Sequence, residues 1–152
     1  MANKSERHRL SLIMATLGPS TDNEKELLTM ITAGIARQWT DGVDIARVVY
    51  NDGEETIINR VNIFRDQCSK RNFDTSVYLD TDDTDTENFE KYLSLAKVVN
   101  PKYLSIPKTF GLDMISKAKK HFENEMLIGV RVKINDDISD IESYFEIADF
   151  VM

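Results

Sequence analysis

Four basic side chains fall at or just past the ends of short apolar runs: Arg47, Lys108, Arg131 and Lys133. If those runs are neighbouring strands, the four cations gather at one end of a sheet. Such a cluster suits a small phosphorylated or carboxylated anion, and guanidinium groups hold anions through paired N–H donors. The same side chains could instead lean out to solvent at the rim, paired with Asp80, Asp82 or Asp136. Both readings stay open from the residues alone. The acidic run Asp80, Asp82, Asp83, Asp85 invites a calcium loop, but it lacks the glycine and the later bidentate glutamate of an EF-hand, which favours a solvated loop. The two histidines, His8 and His121, stand in a polar tail and at a helix end, a poor basis for a metal site or a catalytic dyad.

Composition narrows the partners. Of 152 residues, 26 are acidic and 19 basic, a net charge of −7, which opposes binding to a phosphate backbone and argues against nucleic acid. No apolar run is long enough for a membrane span or a signal-peptide core, and a lone cysteine, Cys68, makes no internal disulfide. A cytoplasmic location is expected. An apolar fraction of 41% supports one ordinary hydrophobic core.

The elements that must position the cations alternate strictly. Residues 1–9 form a polar tail, followed by strand Leu10–Leu17, stopped by Gly18-Pro19. Ser20–Glu24 reads as a helix start with Glu24 three residues after Thr21, and Leu27, Leu28 and Ile31 repeat at helical spacing. Strand Ile45–Tyr50 precedes a helix with Ile57, Val61, Phe64 and Cys68 on one side, then strand Ser76–Leu79. Helix Glu87–Val99, strand Tyr103–Ile106, helix Leu112–Phe122, strand Leu127–Ile134, helix Ile138–Ile147 and the run Phe150–Met152 complete the pattern. Alternation with short connections predicts an α/β fold with parallel strands, either an open doubly wound sheet or a barrel. Neither GxGxxG nor GxxxxGK[ST] follows the first strand, so the usual nucleotide signatures of open sheets are missing.

Several segments resemble the barrel domain of pyruvate kinase. Ala15-Thr16-Leu17-Gly18-Pro19-Ser20-Thr21 is similar to that family's first strand and turn. Asp44–Gly53 looks like its Asn-Val-Ala-Arg-x-Asn-Phe-Ser-His-Gly signature, and Tyr78-Leu79-Asp80-Thr81 is similar to its Ala-Leu-Asp-Thr. Phe145–Met152 resembles its entry into strand six. The resemblance implies a TIM-type barrel of parallel β/α units, incomplete at about six of eight strands. It spans residues 10–152, with an insertion around Ala36–Val43 that includes Trp39, and leaves no room after Thr81 for the family's lid domain.

The resemblance also implies roles. Arg47 would bind substrate phosphate, and Ser105, which resembles a serine of the family's fourth strand, could join the anion-binding cluster to which Lys108 also belongs. Asn51, Asp80 and Thr81 would hold potassium, one ligand short because Val49 replaces an asparagine. Arg131 and Lys133 would stand where the family has its catalytic lysine and a metal-binding glutamate. A small gap would move Lys133 to the lysine position and put Asn135 at the metal. In either alignment no carboxylate meets magnesium, a hard cation that needs oxygen donors, so the magnesium site is expected to be lost. The resemblance therefore implies phosphate transfer between phosphoenolpyruvate and ADP in glycolysis, carried by a degenerate or incomplete copy. A non-catalytic module that binds anions or associates through open sheet edges is the alternative. Open edges expose unpaired backbone groups, so the chain is expected to be a piece of a longer product, to pair with itself or a partner chain, or to relax into an open sheet.

Overall fold

The computed structural model describes residues 12–33, 42–51, 53–81, 85–123 and 125–152. The polar tail 1–9, Trp39 with most of its insertion, and Asp82 and Asp83 of the acidic run lie outside the described residues. Six parallel strands form one sheet: β1 (Met14–Thr16), β2 (Ile45–Val49), β3 (Ser76–Asp80), β4 (Tyr103–Pro107), β5 (Leu127–Arg131) and β6 (Phe150–Val151). Between them run α1 (Glu24–Thr32), α2 (Glu54–Ser69), α3 (Phe89–Val99), α4 (Gly111–Phe122) and α5 (Ile141–Phe145). The strands lie side by side in chain order, each paired in parallel with the next, and the sheet is unclosed.

That order settles what periodicity left open. An open doubly wound sheet reverses its strand order at a switch point, whereas here the order never reverses. Right-handed crossovers that always step the same way put every helix on the same face. Burial agrees. Ala46, Val48, Val77, Leu79, Leu104, Ile106, Ile128 and Val130 sit in one buried cluster with Leu27, Ile57, Val61, Phe64, Leu93, Ile115 and Ala118 of the helices. The alternate residues, among them Arg47, Tyr78, Asp80, Tyr103, Ser105, Gly129 and Arg131, face the other way by the two-residue period of a strand. This is the winding of a TIM-type barrel, with helices outside and a concave inner face.

Local chemistry explains the element ends. Asn23, and not Thr21, caps α1, its side chain accepting from the Lys25 amide at 2.8 Å. Thr21 instead closes a 3-10 turn over Pro19–Thr21, receiving the Gly18 amide at 2.9 Å. Asp22 is thereby released to grip Arg60 of α2, at 2.6 and 2.8 Å. Asn100 ends α3 in the left-handed region ahead of Pro101, which cannot continue a helix. Gly53 begins α2 at φ 83°, where a side chain would be strained.

Two aspartates clamp strand starts in the same way. Asp44, just before β2, donates its amide to the Ile13 carbonyl at 2.9 Å and accepts the Ile13 amide on Oδ2 at 2.7 Å. Asp149, just before β6, does the same to Ile128 of β5, at 2.7 and 2.8 Å. Each clamp fixes the register between an odd strand and the even strand after it. A one-residue slip would exchange the inner and outer faces.

Gly129 lies opposite Phe150, and a Cβ at this position would come within 2.2 Å of the Phe150 ring. Gly129→Ala is expected to push Phe150 out and loosen β6, costing about 1–3 kcal/mol in urea unfolding. Asp22 has its carboxyl pKa lowered, first by the hydrogen bond from Arg60, against an ordinary value of 3.8. Its contribution is therefore complete above the unfolded value and fades as pH falls through the lower folded value. Asp22→Asn should flatten the loss of stability between pH 5 and pH 2, and an unchanged acid limb would contradict this.

Candidate functional site

The carboxyl ends of β2 to β5 converge on one buried carboxylate. Asp80 ends β3 and is 1% exposed, so its charge must be met inside the protein. Arg47 of β2 meets it from one side. Its Nε and Nη2 donate to Asp80 Oδ2 at 2.9 and 2.5 Å, and its Nη1 donates to Thr16 Oγ1 of β1 at 3.2 Å. Ser105 of β4 donates its hydroxyl to Asp80 Oδ1 at 2.5 Å. Arg131 of β5 reaches over β4 to place Nη1 3.5 Å from Asp80 Oδ1 and to donate to the Thr81 carbonyl. Strand alternation makes the convergence possible, since Arg47, Asp80, Ser105 and Arg131 all project from the inner face. The end of β4 offers Pro107 opposite Arg131, with no long side chain to block the crossing.

Tyr78 lies below Asp80 on the same face, fully buried, with its hydroxyl 3.1 Å from Met152 Sδ. Burial raises its phenol pKa, and the nearby Asp80 adds to the shift while Ser105 and Arg47 oppose it. Tyr92 of α3 approaches from the helix side, and its hydroxyl lies 3.0 Å from the carbonyls of both Leu79 and Ser105. Its pKa is also raised, chiefly by burial. Neither tyrosine stood out in the sequence. Tyr78 was legible from its spacing, two residues before Asp80 and so on the same face, whereas Tyr92 reads as an ordinary apolar helix position.

Arg47, Ser105, Asp80 and Arg131 therefore come together. Lys133, Lys108 and Asn51 do not. The strand expected to run to Ile134 ends at Arg131, and Lys133 is exposed in a turn in which its amide donates to Asp136 Oδ2 at 2.8 Å. The expected presentation of Arg131 and Lys133 on one strand face is thus corrected: the chain has left the sheet before Lys133. Lys108 follows β4 in a 3-10 turn, its ammonium 2.7 Å from Asp140 and 5.3 Å from the Tyr144 ring centre. The hydrogen bond to Asp140 raises its pKa above the ordinary lysine value. Asn51 is exposed beyond β2 in a backbone turn to Val49. Thr81 enters through its carbonyl, which Arg131 occupies.

The potassium site implied for Asn51, Asp80 and Thr81 gains no support. Two guanidinium groups and a hydroxyl already surround the Asp80 carboxylate, and Asn51 is turned away from it. Among the described residues no group of three or more His, Cys, Asp or Glu comes together to hold a metal ion. Arg47, Ser105, Arg131 and Asp80 are the residues that come together. What they form is a cationic cup: two arginines around one carboxylate. The Arg47 and Arg131 side chains remain 25% and 16% exposed, so their outer edges reach solvent.

No helix among the described residues is long and apolar enough to cross a membrane. No family model and no curated protein matches the chain. Solved structures do. A Burkholderia cenocepacia J2315 protein assigned as a phosphonomutase superposes with a TM-score of 0.65 at 12% identity, covering 92% of this chain and 63% of its own. A 2,3-dimethylmalate lyase of the PEP mutase/isocitrate lyase superfamily gives 0.65 at 13% identity, covering 92% and 52%. A second Burkholderia cenocepacia J2315 protein, assigned as a lyase/mutase, gives 0.61 at 12%, covering 92% and 54%. The chain thus spans between half and two thirds of the length of these neighbours.

These neighbours overturn the resemblance to pyruvate kinase, and with it phosphate transfer and a glycolytic role. The segments that carried the resemblance are strand ends and βα turns, which any parallel barrel builds from similar residues.

Asp80→Ala would leave Arg47 and Arg131 facing each other without their shared anion. A loss of about 3–5 kcal/mol is expected in chemical denaturation, the range for removing one partner of a buried pair. Asp80→Asn should cost less because Ser105 keeps an acceptor. Equal costs for the two would show that the amide cannot take the carboxylate's place. At identities this low the likeness fixes the architecture alone: the chain shares the fold of these solved structures over 92% of its length.

Proposed function

We propose that the chain is the anion-binding part of a lyase or mutase that makes or breaks a C–C or C–P bond in a small carboxylate or phosphonate. The carrying observation is the pair Arg47 and Arg131 held on the buried Asp80 at the carboxyl ends of the strands. Reactive groups in parallel barrels gather at that end. The neighbours assigned as a phosphonomutase and described as a dimethylmalate lyase share this fold and support the reaction class.

The chemistry asks for what the cup offers. Breaking a carbon–carbon or carbon–phosphorus bond beside a carboxylate leaves an electron pair that spreads onto the carboxylate oxygens. Fixed guanidinium groups lower the cost of that charge without having to reorganise. Asp80 holds both arginines in place, and Ser105 is oriented by its bond to Asp80. A cytoplasmic location and association through the β1 or β6 edge accompany the proposal, supported respectively by the lone buried, free Cys68 and by the unclosed sheet.

Calorimetry with oxalate and with phosphonoacetate tests the site, run in EDTA and again with magnesium. Binding in EDTA is expected, weakened about tenfold or more by Arg47→Ala and nearly as much by Arg47→Lys, which keeps the charge but loses the planar fork. The proposal fails if the wild-type chain binds neither anion in EDTA, or if both variants bind as well as wild type.

A further inference from the structure

The β3–β4 pair is shorter than its neighbours. The β2–β3 and β4–β5 ladders each run over the full strand, to Val49 opposite Asp80 and to Pro107 opposite Arg131. The β3–β4 ladder stops at Leu79 opposite Leu104, before the residues that form the cup. Beyond that point the two strands are joined from behind by the Tyr92 hydroxyl, 3.0 Å from both the Leu79 and the Ser105 carbonyls. Those carbonyls are buried, and a buried acceptor left without a donor is costly. Tyr92 is itself 2% exposed, and its ring packs on Tyr50 at 5.4 Å, so the hydroxyl has little freedom to move.

We infer that Tyr92 is a positioning residue for the anion site: it wedges the ends of β3 and β4 and so sets the distance between Asp80 and Ser105. This rests on the reading of the cup as an anion site. Tyr92 approaches from α3, and its hydroxyl lies close enough to feel the Ser105 side chain and the charges of Asp80 and Arg131. It acts through the two backbone segments that carry the acid and the hydroxyl. Without its hydroxyl, the bond that Tyr92 shares between the Leu79 and Ser105 carbonyls is lost and β4 shifts against β3. Ser105 then no longer meets Asp80 at 2.5 Å, and the arginines that Asp80 holds lose their common anchor.

The test uses the whole chain with 13C-labelled aspartate carboxyls, the Asp80 signal being identified by its loss in Asp80→Asn. Tyr92→Phe keeps the ring and removes only the hydroxyl. Without any ligand, it is expected to move the Asp80 carboxyl resonance. It should also weaken oxalate binding about tenfold. Ser105→Ala supplies a cycle: if Tyr92 acts through Ser105, the double variant should bind like Ser105→Ala alone. An unmoved Asp80 resonance, or fully additive losses, overturns the inference by reducing Tyr92 to a space-filling role. If Tyr92→Phe does not fold, the wild-type chain labelled at tyrosine Cζ decides. Oxalate should shift the Tyr92 signal from across the sheet, and no shift overturns the inference. Wild-type failure to bind oxalate sinks the anion-site reading instead, while the ligand-free Asp80 resonance still reports on the wedge.

Discussion

A single buried negative charge organises the upper half of this sheet. Asp80 is almost wholly removed from water, and a carboxylate in that position is tolerable only with charged or polar partners on both oxygens. Arg47 takes one oxygen, Ser105 and Arg131 the other, and Arg47 passes a further bond to Thr16. Five consecutive strands, β1 to β5, are thereby tied at their carboxyl ends by side chains as well as by backbone ladders. In the low-dielectric interior these attractions are stronger than at a surface, which is why one acid can hold two arginines.

The network depends in turn on the winding of the chain. Because the strands follow in order, all helices cover one face and the apolar alternate residues pack beneath them. The other face carries polar side chains at the top and aromatic ones lower down, with Tyr78 and Tyr103 each edge-on to Phe150. Asp44 and Asp149 hold this partition in place from the opposite end of the strands, since each locks a register that would otherwise be free to slip. Stability and site geometry are thus set at opposite ends of the same strands, the separation that lets a barrel change its chemistry without rebuilding its core.

Much of this was legible in the residues. Strand and helix alternation, the parallel sheet and the buried faces of α1 and α2 follow from periodicity, and each strand was placed to within a few residues. Arg47 and Arg131 were legible as a cationic pair because alternation fixes the side of the sheet each one faces. Their common partner was less so. Asp80 was expected as a potassium ligand or as a solvent-rim partner of the cations, and only the sheet shows it buried between the two arginines. Lys133 was misplaced because Val132 and Ile134 extend the apolar pattern of β5, whereas the backbone leaves the sheet at Arg131 and exposes Ile134 fully.

The pyruvate-kinase resemblance failed for a related reason. A small residue at a turn, an arginine two residues before a strand end and an acid at the next strand's end are what a parallel barrel needs wherever it binds an anion. Such features recur across barrels whose reactions differ, and short segments that share them measure common architecture. Discrimination has to come from which groups meet. Here the meeting groups are two guanidinium cations, one carboxylate and one hydroxyl, while the Lys108 ammonium pairs with Asp140 and Lys133 stands in a turn outside the sheet. A cup of that composition suits holding a small anion while charge moves within it. On the proposed reading, stabilising that charge falls to Arg47 and Arg131.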